Sequence, residues 1–461
     1  MIQIFNQYTS LKLLALMMIE ALLIFISILF SGRFLDVWNQ GEPPVRFCLE
    51  ALGLLILVQT AFYCNNLYDF SQRRPRRLEL LYILQSIAAA VVIVGLASPL
   101  IPGRILGDRV LAGAFLLTVG SVCLVRISVN KVWPNVLVSQ NVAILGSGEL
   151  AEAVARELLA RRDLNARLVG FVGNVTRPML GRPVLGGYED LSAIASRHQI
   201  SRIIVAMEDW RGALPTSELM KVRVSGVAVE DAHSALAALT GRVWLVAVRP
   251  SWLSLFVMSG GFRRSRLRGG IKRATDICFG VLGLIVTLPL QLAVALAVLI
   301  QSGRPVIYRQ VRVGLRGKCF ELLKFRSMRV DAEMDGRAQW AQRDDPRITR
   351  VGRFIRKYRL DELPQFINVI RGDMSFVGPR PERPYFVEQL KSKLSYYELR
   401  HMVRPGITGW AQVRHNYTAS LEDSLRKLEY DLFYLKNMSF LFDCSIVFQS
   451  IRTVLLGLGG P

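Results

Sequence analysis

The sequence predicts a three-part membrane protein: a four-helix transmembrane N-terminal unit, an α/β Rossmann-like middle domain, and a C-terminal domain that reaches the membrane through a re-entrant helix. Three observations predict it. Four apolar segments of bilayer length open the chain, a strand, glycine-turn and helix text begins at Asn141, and a later apolar segment carries cations at both ends and a proline at its midpoint. The 461 residues are 51% hydrophobic yet carry a formal net charge of +22. That pairing suits a membrane protein whose basic face meets anionic lipid or an anionic substrate, and no nucleic-acid partner is expected. Cys48, Cys64, Cys123, Cys278, Cys319 and Cys444 are scattered without a C-x-x-C spacing, so neither disulfides nor zinc is expected.

The first four apolar segments cover residues 11–30, 48–64, 80–101 and 106–127. Each is near the ~20 residues that cross a bilayer, the second marginally so. No small-residue cleavage site follows the first, which therefore reads as a retained span. Arg73, Arg74, Arg76 and Arg77 crowd the loop between the second and third segments. This places that loop, and both ends of the unit over residues 1–135, on the cytoplasmic side. Glu20 lies within the first span, where an acid is a functional candidate by default; a hydrogen bond facing the bundle is the favoured alternative.

From Asn141 the text NVAILGSGELAEAVARELLA is a short strand, a tight turn through Gly146 and Gly148, and an amphipathic helix. Strands follow at 168–172 and 202–206 with a helix at 191–198, which gives an α/β domain over residues 136–250. The third fingerprint position is Ala151, and Gly173-Asn174 stand where an acidic ribose partner belongs. A lone G-x-G-x-x-A is weak support for nucleotide binding, and a structural or regulatory role is favoured.

A basic linker over 251–270 (Arg263, Arg264, Arg266, Arg268) leads into the last domain, 271–461. Its apolar stretch, 277–300, is long enough to span. Lys272 and Arg273 precede it, however, and Arg304, Arg309, Arg312, Arg316 and Lys318 follow it, so both ends prefer the cytoplasmic side. Pro289 removes a helix hydrogen bond at the midpoint. The consistent reading is a re-entrant helix-break-helix over 272–301 that enters one leaflet and returns. An aromatic and aliphatic tail over 428–458 reads as an interfacial amphipathic helix, although a core helix would share its pattern.

The stretch LDELPQFINVIRGDMSFVGPRPERP, residues 360–384, sets Asp361 and Glu362 among Arg356, Lys357 and Arg359 upstream and Arg371, Arg380 and Arg383 downstream. Planar guanidinium groups bind phosphate oxygens bidentately, so this density of charge suits a diphosphate. Carboxylates beside phosphate call for a hard divalent cation, Mg2+. The bland reading makes Asp361 the cap of a helix over 362–370, followed by a turn at Arg371-Gly372-Asp373. Capping and phosphate chemistry are compatible at a helix N-terminus.

The last domain resembles the bacterial sugar transferase family, the polyprenol-phosphate sugar-phosphate transferases or monotopic phosphoglycosyl transferases. The matching text is KRATD with Pro289 downstream, KFRSM at 324–328, the long LDELPQ stretch, RHMVRPGITGWAQV at 400–413 and YDLFYLKNMSFLFD at 430–443. The preceding domains resemble the large form of the family, nearest to exopolysaccharide transferases of the exosortase-associated type. The resemblance implies a mainly α monotopic catalytic domain in the bacterial inner membrane, facing the cytoplasm, in a multi-pass and dimeric protein. It implies transfer of a hexose 1-phosphate, glucose or galactose by family habit, from a UDP-sugar to undecaprenyl phosphate with release of UMP, the initiating step of exopolysaccharide or capsule synthesis. It further implies that Asp361 is the nucleophile of a phosphosugar-aspartyl intermediate and that Glu362, with Asp361, holds Mg2+. Arg356, Arg380, Lys324, Arg326 and Arg404 would bind phosphate and substrate, while Lys272, Arg273, Asp276 and Pro289 would build the re-entrant helix. One departure stands out: many relatives carry Ser before the membrane proline, where this chain has Leu288, with Thr287 one residue earlier.

Two other classes compete. A membrane-tethered, NAD-dependent nucleotide-sugar dehydratase or epimerase would use the Gly146 turn, but lacks an acidic partner there and an evident Tyr/Lys pair. A non-enzymatic scaffold of an export complex would leave the Asp361 cluster without a purpose.

Overall fold

The structure, a computed structural model, describes residues 2–4, 7–9, 11–34, 44–65, 67–68, 76–97, 108–136, 140–164, 166–173, 178–207, 214–245, 266–329, 332, 345–415 and 420–455. Arg73, Arg74, Asn174, Arg263 and Arg264 lie outside these residues. The chain divides into two compact units, Met1–Ala235 and Leu236–Pro461.

The first unit opens with an antiparallel strand pair, β1 (Ile2–Ile4) and β2 (Gln7–Thr9). Four long helices follow: α1 (Leu11–Phe34), α2 (Pro44–Cys64), α3 (Arg76–Ala97) and α4 (Asp108–Val136). The third begins four residues before its apolar stretch, because Arg76, Arg77 and Glu79 are good helix formers that hydropathy alone does not mark. Ile24, Ile28, Phe47, Phe62, Ile83 and Ile87 fill the space between the helices. Met18, Leu22, Leu49, Leu116 and Leu124 face outward and remain exposed. Helices apolar on every side are those of a core or a membrane span. Glu20 turns inward and is fully buried; the Arg126 guanidinium reaches it at 2.6 Å and reaches Glu79 at 3.0 Å. Arg126 also donates to the Leu67 carbonyl at 3.1 Å and lies over the Phe62 and Tyr68 rings. The acid in the first helix therefore has the bundle-facing partner that a buried charge requires.

Five parallel strands come next: β3 (Gln140–Leu145), β4 (Ala166–Val172), β5 (Val184–Gly186), β6 (Arg202–Val205) and β7 (Ala228–Asp231). Helices α5 (Glu149–Ala160), α6 (Leu191–Arg197), α7 (Thr216–Val224) and α8 (Ala232–Thr240) alternate with them. The sheet order is β5-β4-β3-β6-β7, that of a doubly wound sheet. At the β3–α5 turn Gly146 has φ 119, and a Cβ there would stand 2.7 Å from the Ala206 carbonyl oxygen, so the turn is fixed by packing between strand ends. The β1–β2 pair is fastened to this sheet. Tyr8 donates its hydroxyl to Glu230, while Arg202 donates to the same hydroxyl and to Glu230, each at 2.7 Å.

The second unit begins with α9 (Arg266–Ser302), the longest helix described. Two antiparallel strands, β8 (Ile307–Val313) and β9 (Cys319–Phe325), are followed by α10 (Arg350–Lys357), a 3-10 turn (Leu360–Glu362), α11 (Gln365–Arg371) and β10 (Ser375–Val377). Then come α12 (Pro384–Lys393), β11 (Gly406–Thr408), α13 (Trp410–Arg414), α14 (Leu421–Asn437) and α15 (Phe440–Leu455). The predicted break at Pro289 is not a break in the helix, which runs continuously through it. The Thr287 hydroxyl donates to the Gly283 carbonyl at 2.6 Å and accepts from Gln291 at 2.9 Å, a side-chain back-bond in the turn that carries the proline. The tail is two helices rather than one, with Ser439 receiving the Phe442 amide at the junction. Leu428, Leu432, Phe433 and Leu435 of α14 are buried, so its first half is core.

Both halves of α9 pack on this same unit. Near its start, a Cβ at Gly280 or Gly283 would meet Ile370 and Val369 or Phe366 of α11. Near its end, Val294 and Val298 pack with Phe325, Ile355, Leu360 and Leu363. Leu282, Ile285, Val286, Leu292 and Ile300 remain exposed along its outer side.

Candidate active site

The acidic pair sits on the 3-10 turn between α10 and α11, not on α11 itself, which starts at Gln365 with Pro364 before it. The sequence expectation of a helix capped by Asp361 fails because Arg359 adopts a left-handed conformation, φ 53, and redirects the chain before the helix begins. A non-glycine residue held there is a strained position of the kind that clusters at functional sites. Gly372, also left-handed at φ 98, ends α11 where the sequence placed the turn.

Glu362 and Asp361 are both buried, with very different partners. The Arg380 guanidinium donates to Glu362 at 2.6 Å, Lys324 Nζ lies 3.5 Å from the same oxygen, and Arg359 stands 3.8 Å from the other. Burial alone would raise the Glu362 carboxyl, but Arg380, Lys324 and Arg359 outweigh it and hold the group well below the usual carboxylate range. Asp361 has neither a hydrogen bond nor an ion pair among the described residues. Burial pushes its carboxyl up from the ordinary value; Lys324, Arg356 and Arg380 oppose the shift and Glu362 adds to it. Burial also pulls the Lys324 ammonium down to about 8, against the pull of Glu362 and Asp361. One carboxylate is thus held chiefly through a single oxygen, by Arg380 and Lys324, and the other is left bare.

Four cations, Lys324, Arg356, Arg359 and Arg380, act on these two carboxylates. With all six groups charged, the cluster keeps two positive charges in excess, enough to match a bound diphosphate. Among the described residues no three His, Cys, Asp or Glu side chains gather as a metal cage. Mg2+ does not need one, since it takes one or two carboxylates and completes its shell with phosphate oxygens and water. The bare, buried Asp361 beside Glu362 fits such an ion.

The other residues read from the sequence serve elsewhere. Arg326 donates to the carbonyls of Ser302, Gly303 and Arg304, closing the end of α9, so its guanidinium is committed to backbone rather than to the acidic pair. Arg404 donates to the Gly372 carbonyl at 2.9 Å, and Arg273 to Val369 and Ile370 at 2.6 and 2.7 Å. These two cations cap the negative end of α11. Lys272 bridges Asp276 at 2.9 Å and Asp443 at 2.8 Å, and Asp276 accepts from Ser375 and the Phe376 amide. That knot ties the start of α9 to β10 and α15. A free cation and a capping cation read alike in sequence, so Arg326 and Arg404 share the pattern of phosphate-binding arginines.

Sequence reasoning missed how the Gly378-Pro379-Arg380-Pro381 loop is held. β10 pairs in parallel with β11, bringing the Gly406-to-Thr408 motif beside it. The Gly406 amide donates to the Pro379 carbonyl at 2.9 Å. Arg400 and Arg312 donate to the carbonyls of Arg380 and Pro381 at 2.8 and 3.1 Å. The signal was present only as two arginines in separate motifs.

Residues 267–457 match the bacterial sugar transferase family. A UDP-N-acetylgalactosamine-undecaprenyl-phosphate N-acetylgalactosaminephosphotransferase of Aeromonas hydrophila is 46% identical over 221 residues, 48% of this chain and 51% of that protein. An undecaprenyl-phosphate glucose phosphotransferase of Komagataeibacter xylinus is 33% identical over 328 residues, 68% of this chain and 59% of the relative. The chain therefore spans only about half to three-fifths of these two proteins. An uncharacterized sugar transferase of Bacillus subtilis (strain 168) is 39% identical over 189 residues, and 89% of its length is covered. Together with the site geometry, these matches show that the chain belongs to the bacterial sugar transferase family.

Proposed function

We propose that this protein transfers a hexose 1-phosphate from a UDP-sugar to undecaprenyl phosphate, releasing UMP, through a covalent phosphosugar-Asp361 intermediate. The observation that carries the reading is the bare, buried Asp361 carboxylate beside a Glu362 already held by Arg380, Lys324 and Arg359. A nucleophilic carboxylate must be free of competing partners, and its neighbours must neutralise an incoming phosphate.

An Asp361 oxygen bonds to the sugar-bearing phosphorus, and the bond from that phosphorus to the bridging oxygen breaks, so UMP leaves with the electron pair. An oxygen of undecaprenyl phosphate then bonds to the same phosphorus and the Asp361–phosphorus bond breaks, yielding the lipid diphosphosugar and restoring the carboxylate. Arg380, Lys324 and Arg356 supply the charge that offsets phosphate oxygens at both steps. Glu362 and Asp361 would hold Mg2+, whose chemistry here is neutralisation of phosphate oxygens. Splitting the exchange in two spares the site from holding both phosphorylated substrates together.

The membrane placement belongs to the same proposal. Helices α1 to α4 span the bacterial inner membrane, and α9 enters one leaflet and returns, leaving the site on the cytoplasmic face. Packing of both halves of α9 against one unit supports this, as do its apolar outer side and the cations that follow it. The acceptor phosphate lies at the headgroup level, so a site at that height reaches it without extracting the lipid. A dimer, and a place at the first step of exopolysaccharide assembly, complete the reading.

Purified protein incubated with undecaprenyl phosphate, Mg2+ and UDP-glucose, UDP-galactose or their N-acetylated forms should release UMP with at least one donor. Release of UDP instead would mean glycosyl transfer and would overturn the mechanism.

A further inference from the structure

We propose that Arg400 is a positioning residue for this reaction, acting through the backbone of Arg380 with Asp431 and Tyr397 behind it. The inference rests on the activity proposed above. Four consecutive carbonyls of the loop carrying Arg380 are each held by a donor from outside the loop: Pro379 by the Gly406 amide, Arg380 by Arg400, Pro381 by Arg312 and Glu382 by the Val313 amide. Pro379 and Pro381 have no N–H of their own, so the shape of this stretch depends on what donates to its carbonyls. The side chain that the arrangement aims is the one that holds Glu362 at 2.6 Å.

Arg400 is built for that task. It is 6% exposed and divides its guanidinium between the Arg380 carbonyl at 2.8 Å, the Tyr397 hydroxyl at 2.6 Å and Asp431 at 2.9 Å. Asp431, on α14, is itself buried. A buried ion pair is weak evidence for stability, because apolar side chains of the same volume stabilise a core as well. An apolar side chain cannot donate to a carbonyl, however. The planar fork can: one arm donates to the Tyr397 hydroxyl and the other to the carbonyl, with the Asp431 charge beside it.

The test is a double-mutant cycle in the full-length protein, reading UMP release and thermal unfolding together. Arg400→Lys keeps the charge and loses the fork; it should lower kcat about tenfold to a hundredfold, as loss of an orienting partner does, while KM for the UDP-sugar changes little. Arg380→Ala removes the group being positioned. If Arg400 acts through Arg380, adding Arg400→Lys to Arg380→Ala costs almost nothing further; independent, multiplying losses overturn the proposal. Should Arg400→Lys fail to fold, Tyr397→Phe replaces it in the cycle, since it deletes one hydroxyl and leaves the Asp431 and Arg380 contacts in place. Wild-type protein that releases no UMP sinks the activity and the inference together, whereas an active wild type with multiplying losses sinks the inference alone.

Discussion

Arg380 donates to Glu362 across 2.6 Å, and this bond distinguishes two carboxylates that are adjacent in the chain and equally buried. It commits Glu362 to the cationic wall and leaves Asp361 as the group with an unused oxygen pair. Asp361→Asn should lower UMP release about ten-thousandfold or more, the scale on which loss of a nucleophile acts, with the unfolding midpoint preserved or raised because a bare buried charge is removed. Intact-mass measurement after donor alone should show a phosphosugar adduct on the wild type and none on the variant. Retained turnover would exclude Asp361 as the nucleophile.

Arg326 offers the opposite outcome. Its donors go to the carbonyls that end α9, so Arg326→Ala should cost stability, about 1–3 kcal/mol for the acceptors it strands, with KM for the UDP-sugar unchanged. A selective rise in KM with an unaltered unfolding midpoint would return Arg326 to the substrate.

Acid should weaken the second unit through His401. Burial, then the nearby cations Arg400 and Lys391, pull its imidazole down to about 4 from an ordinary 6.5, with Glu398 opposing. A depressed folded pKa means that the contribution is complete above the unfolded value and is lost as pH falls through the folded one. The unfolding midpoint should therefore drop between about pH 6.5 and 4 by more in the wild type than in His401→Gln. Parallel curves for the two proteins would show that His401 titrates alike in the folded and unfolded states.

The path of α9 can be read chemically. With the six native cysteines replaced by alanine, single cysteines at Gly269 and Ser302 should both react with a membrane-impermeant maleimide only from the cytoplasmic side. Labelling of the two positions from opposite sides would make α9 an ordinary span.

Much of this was legible in the text because it depends on local chemistry. The four apolar segments, the alternation of strand and helix after Asn141, and the turn at Gly372 are each dictated by a few neighbouring residues. The acidic pair is legible and its backbone is not: a D-E-x-P text matches a helix start, yet the pair lies on a 3-10 turn after the left-handed Arg359 and the helix begins at Gln365. The destination of an arginine was also beyond reach, because phosphate, carboxylate and a helix-end carbonyl all attract it. Arg380 went to an acid, Arg326 to carbonyls, and Arg400 to both, and tertiary folding alone decides among these. The same holds for Pro289, which removes one helix hydrogen bond yet lies in a helix that continues through it.

Tyr8 and Glu230 lie 222 positions apart, which sets a clock on synthesis. At roughly 5–20 residues per second, the β1–β2 pair must wait about 10 to 45 seconds before the ribosome has produced the carboxylate it grips. During that interval all four helices α1 to α4 emerge and leave the ribosome, so a segment made before them is among the last in its unit to be secured. Translation speed across residues 10–230 thus becomes a determinant of how long two unpaired strand edges stay open to wrong partners.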